Sequence, residues 1–147
     1  MKNKLYLIIS FFISIGLLPM AFYIEYYYHA LPCELCWYER YIYIILIFIS
    51  IFFWVKESKY TNKIMLFIWI IMCLLSFYHI LVENDIVQSS CSSGIFVNNN
   101  ALPTNKFIPC NIVNFYIFGL SLASYNMIIS LCMILYFIIL NKKGNKK

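Results

Sequence analysis

Charge is what this sequence has least of. Only 12% of its 147 residues are charged, while 63% are hydrophobic and the mean hydropathy is +0.80. A water-soluble domain of this length needs far more charge to cover its surface, so a soluble globule is excluded. Also missing are a glycine-rich nucleotide loop, an H-E-x-x-H motif, a serine nucleophile elbow and a heptad repeat. The common sequence grounds for a nucleotide-binding protein, a zinc peptidase, a serine hydrolase or a coiled coil are therefore absent.

What the chain has instead is long apolar runs, which point to a bilayer as solvent. Four qualify: residues 5–24, 37–55, 64–82 and a stretch within 112–140, taken as 115–140. A helix needs roughly 20 residues to cross a hydrocarbon core of about 30 Å. The sequence thus predicts an all-α, polytopic membrane protein, a single membrane domain over 1–147 built as a four-helix transmembrane bundle. The fourth run is longer than a span requires and is expected to begin in the interface or to tilt. The first follows the basic stretch Met1–Lys4, as a signal peptide would. It exceeds the usual apolar region of about 7–15 residues and lacks a clean A-x-A site, so it reads as a retained span.

Lys and Arg set the expected orientation. Nine of the eleven basic residues lie in the N-terminus, the "KESKYTNK" loop and the "NKKGNKK" tail, which a four-span topology puts on one side. Only Arg40 and Lys106 fall on the other, with Glu25, Glu34, Glu39, Glu83 and Asp85. Both termini are expected in the cytoplasm, with outward loops over 25–36 and 83–111. The net charge of +5 is then a topology signal, and no nucleic-acid partner is expected.

Six cysteines are present. Cys73 and Cys132 fall inside apolar runs and read as small packing residues. Cys33, Cys36, Cys91 and Cys110 fall in the outward loops or at their helix junctions, where disulfides form and persist. Four cysteines allow three pairings. They could form inert structural disulfides, a four-thiolate zinc site, or two redox-active pairs. Zinc is disfavoured because oxidation competes with metal binding outside the cytoplasm, and no metal site is expected. A Cys33–Cys36 bridge would staple little, because so small a loop removes little unfolded-state entropy. The C-x-x-C spacing suits electron exchange better.

The stretch "LPCELCWYER" sets this pair at the lip of the second run. Pro32 fits a helix entry. If the helix starts at Cys33, Cys36 lies roughly 60° and Arg40 roughly 20° from Cys33 around the axis, on one face. A helix N-terminus and a nearby guanidinium both favour thiolate, the nucleophilic form, whereas Glu34 works against it. Such a site suits a lipid-soluble acceptor with a polar head, and a quinone fits. Arg40 alone could instead snorkel to the interface. His79, near the outer end of the third run, is a packed histidine or a second contact to the acceptor. The patches "GIFV" and "FIP" in the second loop could rest on the membrane surface.

These motifs resemble the DsbB/BdbC membrane oxidoreductases of disulfide formation. "PCELCWYER", a second cysteine pair ending near "IPCNIVNFYIFG", the "YH" closing the third run and the four spans carry the likeness over most of the chain. The small size and the wording "CELCWY" are closest to the short BdbC type. Two departures stand out: the Cys91–Cys110 spacing is wider than in that type, and "FGLSLASYN" lacks a proline found in that branch.

The resemblance implies a bacterial cytoplasmic-membrane enzyme. It would reoxidise an extracytoplasmic thioredoxin-like thiol oxidase of the DsbA/BdbD kind and pass two electrons to a membrane quinone, ubiquinone or menaquinone. It also implies that Cys33 and Cys36 are the quinone-proximal pair, that Cys36 contacts the quinone with Arg40 helping to hold it, and that Cys91 and Cys110 meet the partner. Two alternatives are a vitamin K epoxide reductase-like enzyme, whose C-x-x-C belongs to a late helix, and a non-catalytic membrane protein with structural disulfides.

Overall fold

The computed structural model describes residues 2–56, 60–88, 91, 110–111 and 115–144. The expected surface patches at 94–97 and 107–109 lie outside the described residues, as do Lys59 and Lys106. Four long helices dominate: α1 (Lys2–Tyr28), α2 (Glu34–Val55), α3 (Thr61–Glu83) and α4 (Leu122–Gly144). Each holds a segment long and apolar enough to cross a membrane. In lipid no water satisfies backbone N–H and C=O groups, so a spanning chain closes its own hydrogen bonds as a helix. The helices run alternately up and down, with α1 packed on α2 and α3 on α4, and α2 against α3 joining the pairs.

Lipid faces are apolar and need no polar cover. Phe12, Phe48 and Phe67 are more than 60% exposed. Inside, a layer of Tyr6, Tyr43, Leu46, Met65, Trp69 and Met72 forms the core. Ser10, Ser14, Ser50, Ser76 and Ser130 are fully buried between helices, where small side chains let backbones approach.

Four helix ends build the site, and three of them have distinctive caps. The α2 start is one residue later than the geometric argument assumed. Cys33 is the N-cap, in extended conformation, and its sulfur accepts from the Cys36 N–H at 3.2 Å. Pro32 therefore precedes the cap and is not the first helical residue.

At the end of α3 the chain stops in a Schellman arrangement. Ile86 N–H donates to Leu81 O at 3.0 Å and Asp85 N–H to Val82 O at 3.1 Å, with Asp85 left-handed at φ 55°. The Asp85 carboxylate then accepts from the Asn111 side chain at 3.1 Å, tying the residue after Cys110 to this cap.

The fourth span departs from the expected 115–140. Tyr116–Ile117 (β1) and Leu120–Ser121 (β2) pair as a two-residue hairpin, and α4 begins only at Leu122. Phe118 and Gly119 occupy the turn with φ 48° and 81°, as a type I′ turn requires, and this breaks the helix. Ser121 is the N-cap, its Oγ accepting from Ser124 N–H at 3.3 Å while donating to Glu83 at 2.6 Å. One hydroxyl thus joins the start of α4 to the end of α3. Open space surrounds Gly119, so Gly119→Ala tests the backbone alone. It should lower stability by about 1 kcal/mol, read as a small drop in melting temperature; an unchanged melt would show that the turn tolerates a Cβ.

Candidate functional site

The alternating topology brings the C-terminal ends of α1 and α3 together with the N-terminal ends of α2 and α4. Cys91 and Cys110 are joined in a disulfide with their Cα atoms 5.5 Å apart. Cys33 and Cys36 are free, with sulfurs 2.8 Å apart and hydrogen-bonded. All four belong to one apolar cluster with Leu35 and Val82. The structure selects one of the three possible pairings, and because two sulfurs are bonded to each other it does not present a four-thiolate ligand set. Cys73 and Cys132 are free and lie mid-helix in α3 and α4.

Cys33 is buried and Cys36 half-buried. The Cys36 side chain, hydrogen-bonded to the Cys33 sulfur, pulls the Cys33 thiol below its ordinary range. Burial opposes this, and the N–H groups of the first turn of α2 assist it. Glu34, expected to counteract thiolate formation, is exposed and lies outside this set of contacts.

Arg40 is 6% exposed, despite its position near a helix end. One Nη donates to Glu25 of α1 and the other to the Ala21 carbonyl at 3.4 Å. The guanidinium lies 4.6 Å from the Phe22 ring centre and 5.1 Å from that of Trp37. Those ring contacts and the Glu25 pair hold it inside the bundle, so it does not snorkel. Its Nε is buried without a hydrogen-bond partner.

His79 is also buried. Its Nε2 lies 3.4 Å from Cys33 Sγ, and its Nδ1 lies 3.3 Å from Glu39 Oε1. Cys33, Cys36 and His79 bring their sulfur and nitrogen atoms within 4.8 Å of one another. Glu39 is 4% exposed and also accepts from Ser76 Oγ at 3.1 Å and from Asn126. Asn126 in turn accepts from Tyr43 at 2.8 Å. Glu83 Oε1 stands 3.7 Å from His79 Nε2.

Sequence reasoning treated Glu25, Glu39 and Glu83 only as outward charges and passed over Ser76 and Asn126. A signal was available, since a polar residue inside an apolar span is functional by default. Glu39 also sits three residues after Cys36, on the same helical face.

A cavity of about 440 Å³ opens beside the thiols. Cys33, Cys36, Arg40, His79 and Cys110 all line it, against apolar walls from α1 and α4 such as Leu17, Met20 and Ile129. Its size and its few converging polar groups are those of a small-molecule site. A quinone ring fits this lining: the walls match an apolar ring and chain, and Arg40 and His79 are polar groups at the same wall.

The family model described as "Disulfide bond formation protein DsbB" matches residues 3–140. An uncharacterized protein, RP370, of Rickettsia prowazekii (strain Madrid E) is 34% identical over 148 residues, covering 91% of this chain and 86% of its own length. No solved structure matches the chain.

Proposed function

Because the chain belongs to the DsbB family of membrane proteins that form disulfide bonds, we propose that it is a thiol:quinone oxidoreductase working through two cysteine pairs. The carrying observation is the placement of the free Cys33–Cys36 pair. It shares one apolar cluster with the Cys91–Cys110 disulfide and lines, with Cys110 and Arg40, a single cavity.

In this reading the cysteine end of the bundle faces outward from a bacterial cytoplasmic membrane, as the distribution of Lys and Arg favours. The electron donor is a reduced, thioredoxin-like thiol oxidase of the DsbA/BdbD kind. Its thiolate attacks the Cys91–Cys110 disulfide to form a mixed disulfide, and its second thiol resolves that bond. The partner leaves oxidised, and Cys91 and Cys110 remain as thiols. Exchange with a Cys33–Cys36 disulfide then re-forms the outer bond and leaves the inner pair reduced. This is the arrangement of the structure, with Cys33 and Cys36 free and Cys91 bonded to Cys110. A ubiquinone or menaquinone bound in the cavity supplies an acceptor for two electrons and two protons. Cys36 faces that acceptor, and Arg40, which lines the same cavity, orients it. The route from a thiol oxidase through such a protein to quinone is a known means of keeping a periplasm oxidising.

The test is reduction of a soluble quinone by the purified protein in detergent, with a reduced thioredoxin-like oxidase as donor. Turnover is expected; stable disulfides that no donor reduces would favour a structural role. Arg40→Lys should raise the quinone KM by about tenfold while leaving oxidation of the donor's first equivalent unchanged. A lysine keeps the charge but loses the planar fork and the stacking between Phe22 and Trp37. An unchanged KM would remove Arg40 from the acceptor site.

A further inference from the structure

His79 has a carboxylate beside one ring nitrogen and a sulfur beside the other. Nδ1 faces Glu39 at 3.3 Å, and Nε2 faces Cys33 Sγ at 3.4 Å. Glu39 is held in place by donors from two further residues, Ser76 of α3 and Asn126 of α4. Its oxygens accept in both of those contacts, so a further donor suits the remaining one to His79. With the Nδ1 hydrogen directed at Glu39, Nε2 is left as the proton acceptor, aimed at the sulfur. A nucleophile, a base within reach of it and a group that orients the base make a recurring catalytic constellation.

We propose that Cys33, His79 and Glu39 act as such a triad, with His79 Nε2 taking and returning the Cys33 proton as the Cys33–Cys36 bond forms and breaks. This rests on the thiol:quinone reading and deepens it. When the inner pair is oxidised, Cys33 gives its proton to Nε2 and its sulfur bonds to Cys36. Two S–H bonds are lost and one S–S bond is made, and two electrons and two protons leave to the quinone. When the inner pair is reduced again, an outer thiolate attacks Cys33 Sγ and Cys36 departs as thiolate. The second outer thiol then gives its proton to Nε2, vacated when the earlier proton passed to the quinone, and its sulfur frees Cys33, which takes that proton up; Cys36 takes up the proton of the first outer thiol. His79 is a catalytic residue in this scheme because it touches a reacting sulfur. Glu39 is a positioning residue that acts through His79.

Other ionisable groups also face this site. Cys36 and Arg40 come from α2, Glu25 from α1 and Tyr125 from α4, and all line the shared cavity. Glu83 of α3 stands 3.7 Å from Nε2. A test must therefore separate the triad from simple charge effects, and Glu39 allows this. Removing its negative charge would by itself make Cys33 easier to ionise. Removing its hold on His79 would make Cys33 harder to ionise.

The experiment measures the rate at which iodoacetamide modifies Cys33, against pH, in the reduced full-length protein carrying Cys36→Ser. Cys33 is followed by mass spectrometry of its peptide. Adding His79→Gln should raise the midpoint of the profile by at least about one pH unit, a tenfold slower reaction at pH values below both midpoints. Adding Glu39→Gln should raise it as well, by a smaller amount. An unchanged midpoint in the His79→Gln protein overturns the triad, and so does a midpoint that falls in the Glu39→Gln protein. If His79→Gln does not fold, the direction of the Glu39→Gln shift decides alone. Quinone turnover of the unsubstituted protein is assayed in parallel. Absent turnover with shifted midpoints would fault the quinone reading and keep the triad, whereas turnover with unshifted midpoints would do the reverse.

Discussion

Cys36→Ser should reduce donor-dependent quinone reduction to background, a fall of roughly 10³-fold or more, because no neighbouring group can replace a thiol that carries the electrons. Cys91→Ser should stop turnover with the protein donor just as completely, yet the two variants should differ in a single-turnover experiment. If the inner pair is first reduced by a small dithiol, Cys91→Ser should still pass those electrons to quinone, since Cys33, Cys36 and the cavity are untouched. Cys36→Ser should not. Cys73→Ser and Cys132→Ser serve as controls, because both residues lie mid-helix away from the cysteine cluster. Turnover near the unsubstituted rate in Cys36→Ser would sink the two-pair scheme.

The second large effect is on stability. Trp69 is fully buried between helices, donates from Nε1 to Ser10 Oγ at 3.0 Å, and meets the Tyr43 ring edge-on at a centroid distance of 6.4 Å. In water, much of the cost of Trp→Ala is exposure of apolar surface. In a bilayer the separated helices remain in an apolar solvent, so that part shrinks and lost packing contacts carry the penalty. Trp69→Ala should therefore cost about 3 kcal/mol, the lower end for removing a buried tryptophan. Trp69→Phe, which mainly forfeits the hydrogen bond to Ser10, should cost about 1 kcal/mol. Unfolding in mixed detergent micelles measures both, and an alanine variant as stable as the parent would show that this layer does not hold the bundle together.

Much of this molecule was legible before any coordinates. Four spans followed from run length, and the lip position of Cys33 and Cys36 followed from where the second run begins. Arg40 was placed on their side of α2 by helical periodicity alone. These features depend on residues close in sequence. The features that were missed join distant ones. Cys33 and His79 are 46 positions apart, and Glu39 and Asn126 are 87 apart. Periodicity can say that Glu39 shares a face with Cys36, but it cannot say that α3 and α4 bring a histidine and an amide to that face.

The pairing of Arg40 with Glu25 was hidden for the same reason. The hairpin before α4 was hidden for a different one. Its turn places a left-handed Phe118 before Gly119, and phenylalanine is not a residue that announces such a conformation. The Cys91–Cys110 pairing could be narrowed to three possibilities by counting and needed the fold to choose among them.

The buried polar set around Glu39 joins α2 to α3 through Ser76 and His79 and to α4 through Asn126. Hydrogen bonds between helices in lipid hold bundles together, here through the same atoms that surround the Cys33 sulfur. Chemistry and architecture are therefore not separable inheritances in this chain. A lineage that no longer needed the reaction could not shed Glu39 or His79 without loosening its helices, and one evolving a new acceptor could not rework them freely. Change is least constrained at the apolar wall contributed by Leu17, Met20 and Ile129, where side-chain size can alter the cavity without breaking a polar contact. On the proposed reading, adaptation to a different quinone has its easiest path along that wall.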